Sequence, residues 1–417
     1  MLFARTEPLR RALMFCLCGS LALAVGCGGG SNNSNSNNNN GTPTQNTQPI
    51  AVNGGPPAAI AMSGIYLNGA FTSVTVCVPG SATSCQTIDN VLVDTGSFGL
   101  RLLSSSSQGE LTLALPTASI SGVPIGECTQ FADTSFIWGP VAIADVKIAG
   151  EQASSVPVHV VGDTSFASVP STCSTSIDDD SLAKLGANGI LGVGNFQQDC
   201  GSFCSTGTAP TGFYYQCPAS GCVPTLVSLT QQVQNPVGLF ATDNNGVIVE
   251  LPAVTLTSPQ PTLTGSMIFG IGTQADNALG SATVFPVDLS SGGFTTTYNN
   301  VAYTGSFIDS GSNGLFFLDA TTTGMPICTD TSFWYCPAST TQFNVTNQAT
   351  GGSPHALTFS VGNFDQLIAG PNAAVNGTAG PNAGFFDFGL PFFYGRNVYT
   401  SIDGTTAPGG QTPYWAY

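Results

Sequence analysis

The chain has 417 residues, only 7% of them charged: seven Lys and Arg stand against 23 Asp and Glu, a formal charge of -16. That sign, with no basic cluster, excludes a nucleic-acid binder, because phosphate neutralisation needs cations on the protein. A bundle of membrane helices is excluded as well, since 51 Gly and 27 Pro break up the apolar residues and no run reaches the ~18 apolar residues a spanning helix needs.

At the N-terminus Arg5, Arg10 and Arg11 precede an apolar stretch from Ala12 to Val25, the pattern of an export signal over residues 1–26. Ala24-Val25-Gly26-Cys27 resembles a bacterial lipoprotein cleavage box, in which Cys27 becomes the lipidated first residue. The usual Leu three residues before the Cys is replaced by Ala24, and the spacing of Ala22 and Gly26 also permits an ordinary signal peptidase. Residues 27–57 are rich in Gly and Asn, show no apolar periodicity and read as a flexible tether. From residue 58, short apolar runs such as FTSVTV, GVIVEL and SMIFGI alternate with Gly, Pro, Ser and Thr. Many short strands and turns follow, so the fold class is all-β.

Of 13 Cys, ten lie beyond Cys27. An even set behind an export signal reads as disulfides made in an oxidising compartment. The expected bridges are Cys77–Cys85, Cys128–Cys173, Cys328–Cys336 and two among Cys200, Cys204, Cys217 and Cys222, whose pairing stays open. The spacings CGSFC and CPASGC of that last quartet also admit a zinc site, although no metal is expected.

The chain repeats itself. VLVDTGSFGLRLL spans Val91 to Leu103 and SFIDSGSNGLFFL spans Ser306 to Leu318, with Asp, Gly, Ser, Gly and Leu at matching offsets from Asp94 and Asp309. Each Asp closes an apolar strand-like run and opens a Gly-rich loop. Downstream of each comes a second matched element, GILGVGNF at Gly189 to Phe196 and FDFGLPFF at Phe386 to Phe393. The length beyond the tether suits two domains, 58–270 and 271–417, one loop in each.

On these motifs the sequence resembles the pepsin-like aspartic proteases, most closely an uncharacterised bacterial envelope branch. In that family each lobe carries an Asp-Thr/Ser-Gly-Ser/Thr loop threaded by a later apolar-apolar-Gly strand. The resemblance covers nearly all of the mature chain and implies a bilobal fold with a cleft between two related β lobes. It implies Asp94 and Asp309 as the catalytic pair, and Thr95, Gly96, Ser97, Ser310, Gly311 and Ser312 as their support: glycines admitting backbone N–H groups to the inner oxygens, serines on the outer oxygens, and Thr95 and Ser310 linking the loops. FGLPFFYGRNVYTSID corresponds to the family's closing strand, helix and strand. Two features depart from the pattern. The flap stretch TQFADTSFIWGPVAIADVKIAG places Phe131 where the family has a Tyr and a bulky tip including Trp138, and Arg101 stands near the position of a family Trp.

Two nearby carboxylates cannot both ionise cheaply, so such a pair shares a proton; one member activates water and the other polarises the carbonyl. Other constellations are weaker. His159 and His355 have no nucleophile-elbow context, Asp178, Asp179 and Asp180 lack the glycine of a calcium loop, and the GIG at Gly270 to Gly272 has no βαβ setting. The expected function is an exported, lipid-anchored aspartic endopeptidase of the cell envelope, at the outer membrane or in the periplasm, with secretion as the alternative location. It acts as a monomer on extended peptide or protein substrates, without cofactor, and touches the membrane through the lipid alone. The alternative is a pepsin-fold envelope protein that binds or inhibits without turnover.

Overall fold

The computed structural model describes residues 46–417 apart from 132–133, 175–176, 207–211, 290–291 and 330–332. The signal segment, Cys27 and the tether up to residue 45 lie outside the described residues. No helix among the described residues is long and apolar enough to cross a membrane.

Strand pairing is found earlier in the chain than composition suggests. Thr47–Val52, inside the stretch read as tether, is a strand paired antiparallel with Leu263–Phe269 and with Ala70–Cys77. Its Ile50 and Val52 are buried in the main core. The apolar alternation in TQPIAV is only six residues long, so the Asn-rich surroundings hide it. The tether expected over 27–57 therefore does not reach residue 57.

One large sheet runs from the hairpin strands Val123–Gln130 and Phe136–Ile148 through Cys85–Asp94 and on to Arg396–Ser401 near the C-terminus; a seven-stranded sheet carries the second Asp loop. The two loops are wired alike. Cys85–Asp94 pairs parallel with Gly189–Val193, which pairs antiparallel with Phe98–Leu103, the strand leaving the loop. In the second half Val301–Ile308 pairs parallel with Asn382–Phe388, which pairs antiparallel with Leu315–Leu318. A later strand is thus threaded between the strands entering and leaving each loop. Gly192 and Gly389 permit this crossing, because a Cβ on Gly192 would come 2.6 Å from the Phe98 nitrogen and one on Gly389 would come 2.1 Å from the Gly314 oxygen.

The packing behind the two loops differs. The first is backed by Leu92, Phe98, Leu103, Leu182, Leu185 and Ile190. The second is backed by rings: Phe317 lies 4.9 Å from Phe343, 5.0 Å from Phe359 and 5.3 Å from Phe386 between centroids. Each such pair adds about 0.5–1.5 kcal/mol beyond the area it buries. After the second threaded strand, Leu390–Phe393 forms a single 3-10 turn where the resemblance implied a helix, before the closing strand Arg396–Ser401.

Five disulfides are present: Cys77–Cys85, Cys128–Cys173, Cys200–Cys204, Cys217–Cys222 and Cys328–Cys336. The open quartet resolves into two local bridges, which leaves no thiolate there for zinc. Five bridges are consistent with an exported protein, since disulfides persist in oxidising compartments.

Candidate active site

Asp94 ends a strand whose last four residues are all buried, and Asp309 follows another apolar strand end; each then enters a tight Gly-Ser turn. The turns satisfy their carboxylates locally. The Gly96 and Ser97 amides donate to Asp94 Oδ1 at 2.9 and 3.1 Å, and Ser97 Oγ donates to Oδ2 at 2.7 Å. The Gly311 amide donates to Asp309 Oδ1 at 2.7 Å and Ser312 Oγ contacts Oδ2 at 2.9 Å.

The two turns also hold each other. The Thr95 amide donates to Ser310 Oγ at 3.1 Å and the Ser310 amide to Thr95 Oγ1 at 2.9 Å. Thr95 Oγ1 donates to the Ile308 carbonyl at 3.2 Å, and Ser310 Oγ to the Val93 carbonyl at 2.7 Å. Above this cross-link the Gly96 amide, bound to Asp94 Oδ1, is also 3.1 Å from Asp309 Oδ1, so one N–H serves both inner oxygens. The approach demands glycine: a Cβ on Gly96 would fall 2.4 Å from Asp309 Cγ, and one on Gly311 would fall 2.6 Å from Asp94 Cγ.

Both carboxyls are almost out of water, 5% exposed for Asp94 and 1% for Asp309. Burial, followed by the facing Asp94 and a third carboxyl, Asp387, pushes Asp309 well above the usual carboxylate range. A proton is therefore retained in the site above the usual carboxylate range.

Asp387 was not singled out by motif. It lies on the threaded strand Asn382–Phe388, buried, with Oδ2 2.7 Å from Ser312 Oγ. Aligning GILGVG with FDFGLP on Gly192 and Gly389 sets Asp387 against Ile190, and that mismatch was the available signal.

Both flap candidates are buried side chains. Val123–Gln130 and Phe136–Ile148 do form a hairpin. However, Phe131 is buried in the cluster of Phe98, Leu103 and Ile137. Trp138 is buried against Phe136, Tyr215 and the Cys128–Cys173 bridge, with its indole donating to the Phe166 carbonyl at 2.7 Å. Both rings pack into the first lobe, because a large apolar side chain in a hairpin gains more from burial than from exposure over a polar pair. Asp180 accepts from the Trp138 amide at 2.9 Å, which gives that acidic run a structural role at the hairpin.

Arg101 anchors a buried polar cluster. Its guanidinium donates to Glu127 Oε1 at 3.0 Å, Asp199 Oδ2 at 3.2 Å and Thr129 Oγ1 at 3.2 Å. Tyr214 OH donates to Asp199 at 2.6 Å, and His159 Nδ1 stands 3.5 Å from Glu127 Oε2. Burial works against the Glu127 charge, but His159 and Arg101 bring its carboxyl below the ordinary value. Burial, with Glu127 adding to it, pushes Asp199 well up, and burial lowers His159 to about 4. The cluster thus joins the strand leaving the first loop to the flap strand carrying Glu127.

Residues 42–417 match the family described as protein of unknown function (DUF3443). The chain belongs to that family. No curated protein matches this DUF3443 member. Among solved structures it is similar to the aspartic proteinase from Irpex lacteus, with a TM-score of 0.52 and 15% identity over 89% of this chain and 96% of that one. At that identity the likeness is one of fold: the DUF3443 chain has the bilobal, all-β pepsin-like architecture.

Proposed function

We propose that this DUF3443 protein is an aspartic endopeptidase of the pepsin-like superfamily, with Asp94 and Asp309 as its catalytic pair and the two lobes, near 58–270 and 271–417, flanking the substrate cleft. One observation carries the reading: two copies of the same Asp-Gly-Ser turn, cross-linked by Thr95 and Ser310, bring both inner carboxylate oxygens onto the Gly96 amide. Water held between the pair loses a proton to Asp94 as it attacks the peptide carbon. Asp309 donates its proton to the carbonyl oxygen, giving a tetrahedral intermediate with no covalent bond to the protein. On collapse the C–N bond breaks, Asp94 gives its proton to the leaving nitrogen and a hydroxyl of the intermediate returns one to Asp309, leaving a carboxylate product and the pair reset. The substrate is an extended peptide or protein. The signal-like N-terminus, the Cys27 box and the five disulfides favour a lipid-anchored protein of the bacterial envelope.

A second reading, a pepsin-fold envelope protein that binds or inhibits without turnover, is favoured by the flap, where Phe131 sits in the core. Digestion of a peptide library at acid pH, with and without pepstatin, separates the two. Pepstatin-sensitive cleavage that is absent in Asp94→Asn establishes the protease, and peptide retention without cleavage establishes the binder.

A further inference from the structure

We infer that Asp387 is a proton-bearing positioning residue that aims the Ser312 hydroxyl at Asp309, making this site depend on two protons where the paired loops alone require one. The inference rests on the protease reading of the site.

The argument starts from hydrogen counting. Ser312 Oγ lies 2.9 Å from Asp309 Oδ2 and 2.7 Å from Asp387 Oδ2. A hydroxyl has one hydrogen to donate. Between two carboxylate oxygens it can serve only one, and the other contact is a hydrogen bond only when that carboxyl supplies the hydrogen itself. Asp387 is the carboxyl placed to supply it. It is 2% exposed, its Oδ1 has no hydrogen-bond partner among the described residues, and the aromatic rings of Phe386 and Phe388 flank it in sequence. An ionised carboxylate there would leave one oxygen buried without a donor, a large cost. Asp309, by contrast, receives amide hydrogens from Gly311 and Gly96. The arrangement that satisfies both contacts runs from Asp387 O–H to Ser312 Oγ, and from Ser312 O–H to Asp309 Oδ2. Burial holds Asp387 well above the ordinary carboxylate range, in keeping with this direction.

The charged groups facing Asp387 are Asp309, at the end of the strand that pairs through Phe307, and Asp94 across the pair. Farther along the flanking strands stand Tyr303 and, beyond Phe316, Asp319. No cation is among them. Ionising Asp387 reverses the chain: Ser312 turns its hydrogen to the new charge and Asp309 loses its outer donor. The first loop has no such switch, because the register of Asp387 is occupied there by Ile190, and Ser97 bonds Asp94 without a carboxyl behind it.

Three proteins test this kinetically at full length: wild type, Asp387→Asn, whose amide still donates to Ser312 but cannot ionise, and Asp387→Ile, which copies the first loop. In the pH profile of kcat the alkaline limb of the wild type should fall with two protons and that of Asp387→Asn with one, while KM stays unchanged. At acid pH Asp387→Asn should keep wild-type kcat and Asp387→Ile should lose roughly threefold to tenfold, the range expected of one orienting hydrogen bond. Equal limbs in wild type and Asp387→Asn, or equal kcat in both variants, overturn the inference. Infrared spectra at pH 7 decide the proton independently of activity. One protonated-carboxyl band should vanish in Asp387→Asn and persist in Asp94→Asn; an unchanged spectrum in Asp387→Asn overturns it. Absence of cleavage by the wild type, with the band still assigned to Asp387, rejects the protease reading and leaves the proton assignment standing.

Discussion

The two Asp loops share a backbone plan, a cross-link and a serine on the outer oxygen, yet one is set on an apolar cluster and the other on a buried acid. Behind Asp94, Ile190 packs with Leu92 and Leu185. Behind Asp309, Asp387 occupies the same register and reaches Ser312. The first lobe instead collects its buried charge farther from the pair, where Arg101, Glu127, Asp199 and His159 join the flap strand to the loop strand. Duplicated geometry therefore need not mean duplicated electrostatics: the loops fix where the carboxylates stand, and the threaded strand places a third carboxyl behind only one of them.

The largest effect that can break this comparison is on turnover. Asp94→Asn and Asp309→Asn should each lower peptide cleavage by about 10²–10⁴-fold with an unchanged circular dichroism spectrum; retention of activity in either would place the chemistry elsewhere. Next comes stability of the first lobe. Arg101→Leu leaves Glu127 charged and unpaired in the core and should cost about 3–5 kcal/mol in urea unfolding; a loss below 1 kcal/mol would show that the cluster is not the ion pair described. Importing the second loop's acid into the first, Ile190→Asp, should cost at least about 2 kcal/mol, since a carboxyl is put among aliphatic side chains. A neutral result there would mean that the two backings are interchangeable.

Smaller effects appear with pH. A carboxyl raised by burial keeps a proton that the unfolded chain has released, so its contribution to stability is lost as pH rises through the folded value. Asp180, pushed up to about 7 chiefly by burial, Asp199, Asp309 and Asp387 all act this way. His159, lowered to about 4 by burial, acts oppositely, losing stability as pH falls from its unfolded value of about 6.5. The raised acids outnumber the one lowered base, so stability should fall as pH rises from 5 to 6.5, by at most about 1.4 kcal/mol per unit for each net proton. His159→Gln should steepen that fall and Asp180→Asn should flatten it, as read by thermal melts across the range. A rising curve would contradict the protonation states assigned here. Composition alone, with Arg101, Lys147, Lys184 and Arg396 as the cations beyond the leader, suggests mild acid denaturation; the buried His159 supplies an acid-side cost that composition does not register.

Some of this was legible in the chain. A turn in which backbone amides must reach a carboxylate requires Gly two residues after the Asp and a short hydroxyl side chain beside it, so the loops at Asp94 and Asp309 announce themselves in any sequence that builds them. Bridges between cysteines eight residues apart, as at Cys77–Cys85 and Cys328–Cys336, are similarly local. The strand Thr47–Val52 was hidden because a six-residue alternation is weak beside an Asn-rich run, and it takes the antiparallel partner Leu263–Phe269 to give it a place.

What tertiary structure decided is where side chains of ambiguous pattern point. Asp387 alternates with phenylalanines in FFDFG as a solvent-facing strand residue would, and only the threading of that strand between two others buries it beneath Ser312. Arg101 in FGLRLL and Phe131 and Trp138 in the hairpin are equally undecided from the chain, since an Arg can snorkel or pair and a ring can cap a cleft or fill a core. The local turns are set by the chain alone, because their backbone geometry admits few residues. The partners of Asp387, Arg101, Phe131 and Trp138 come from strands distant along the chain, and their environment exists only once those strands are packed.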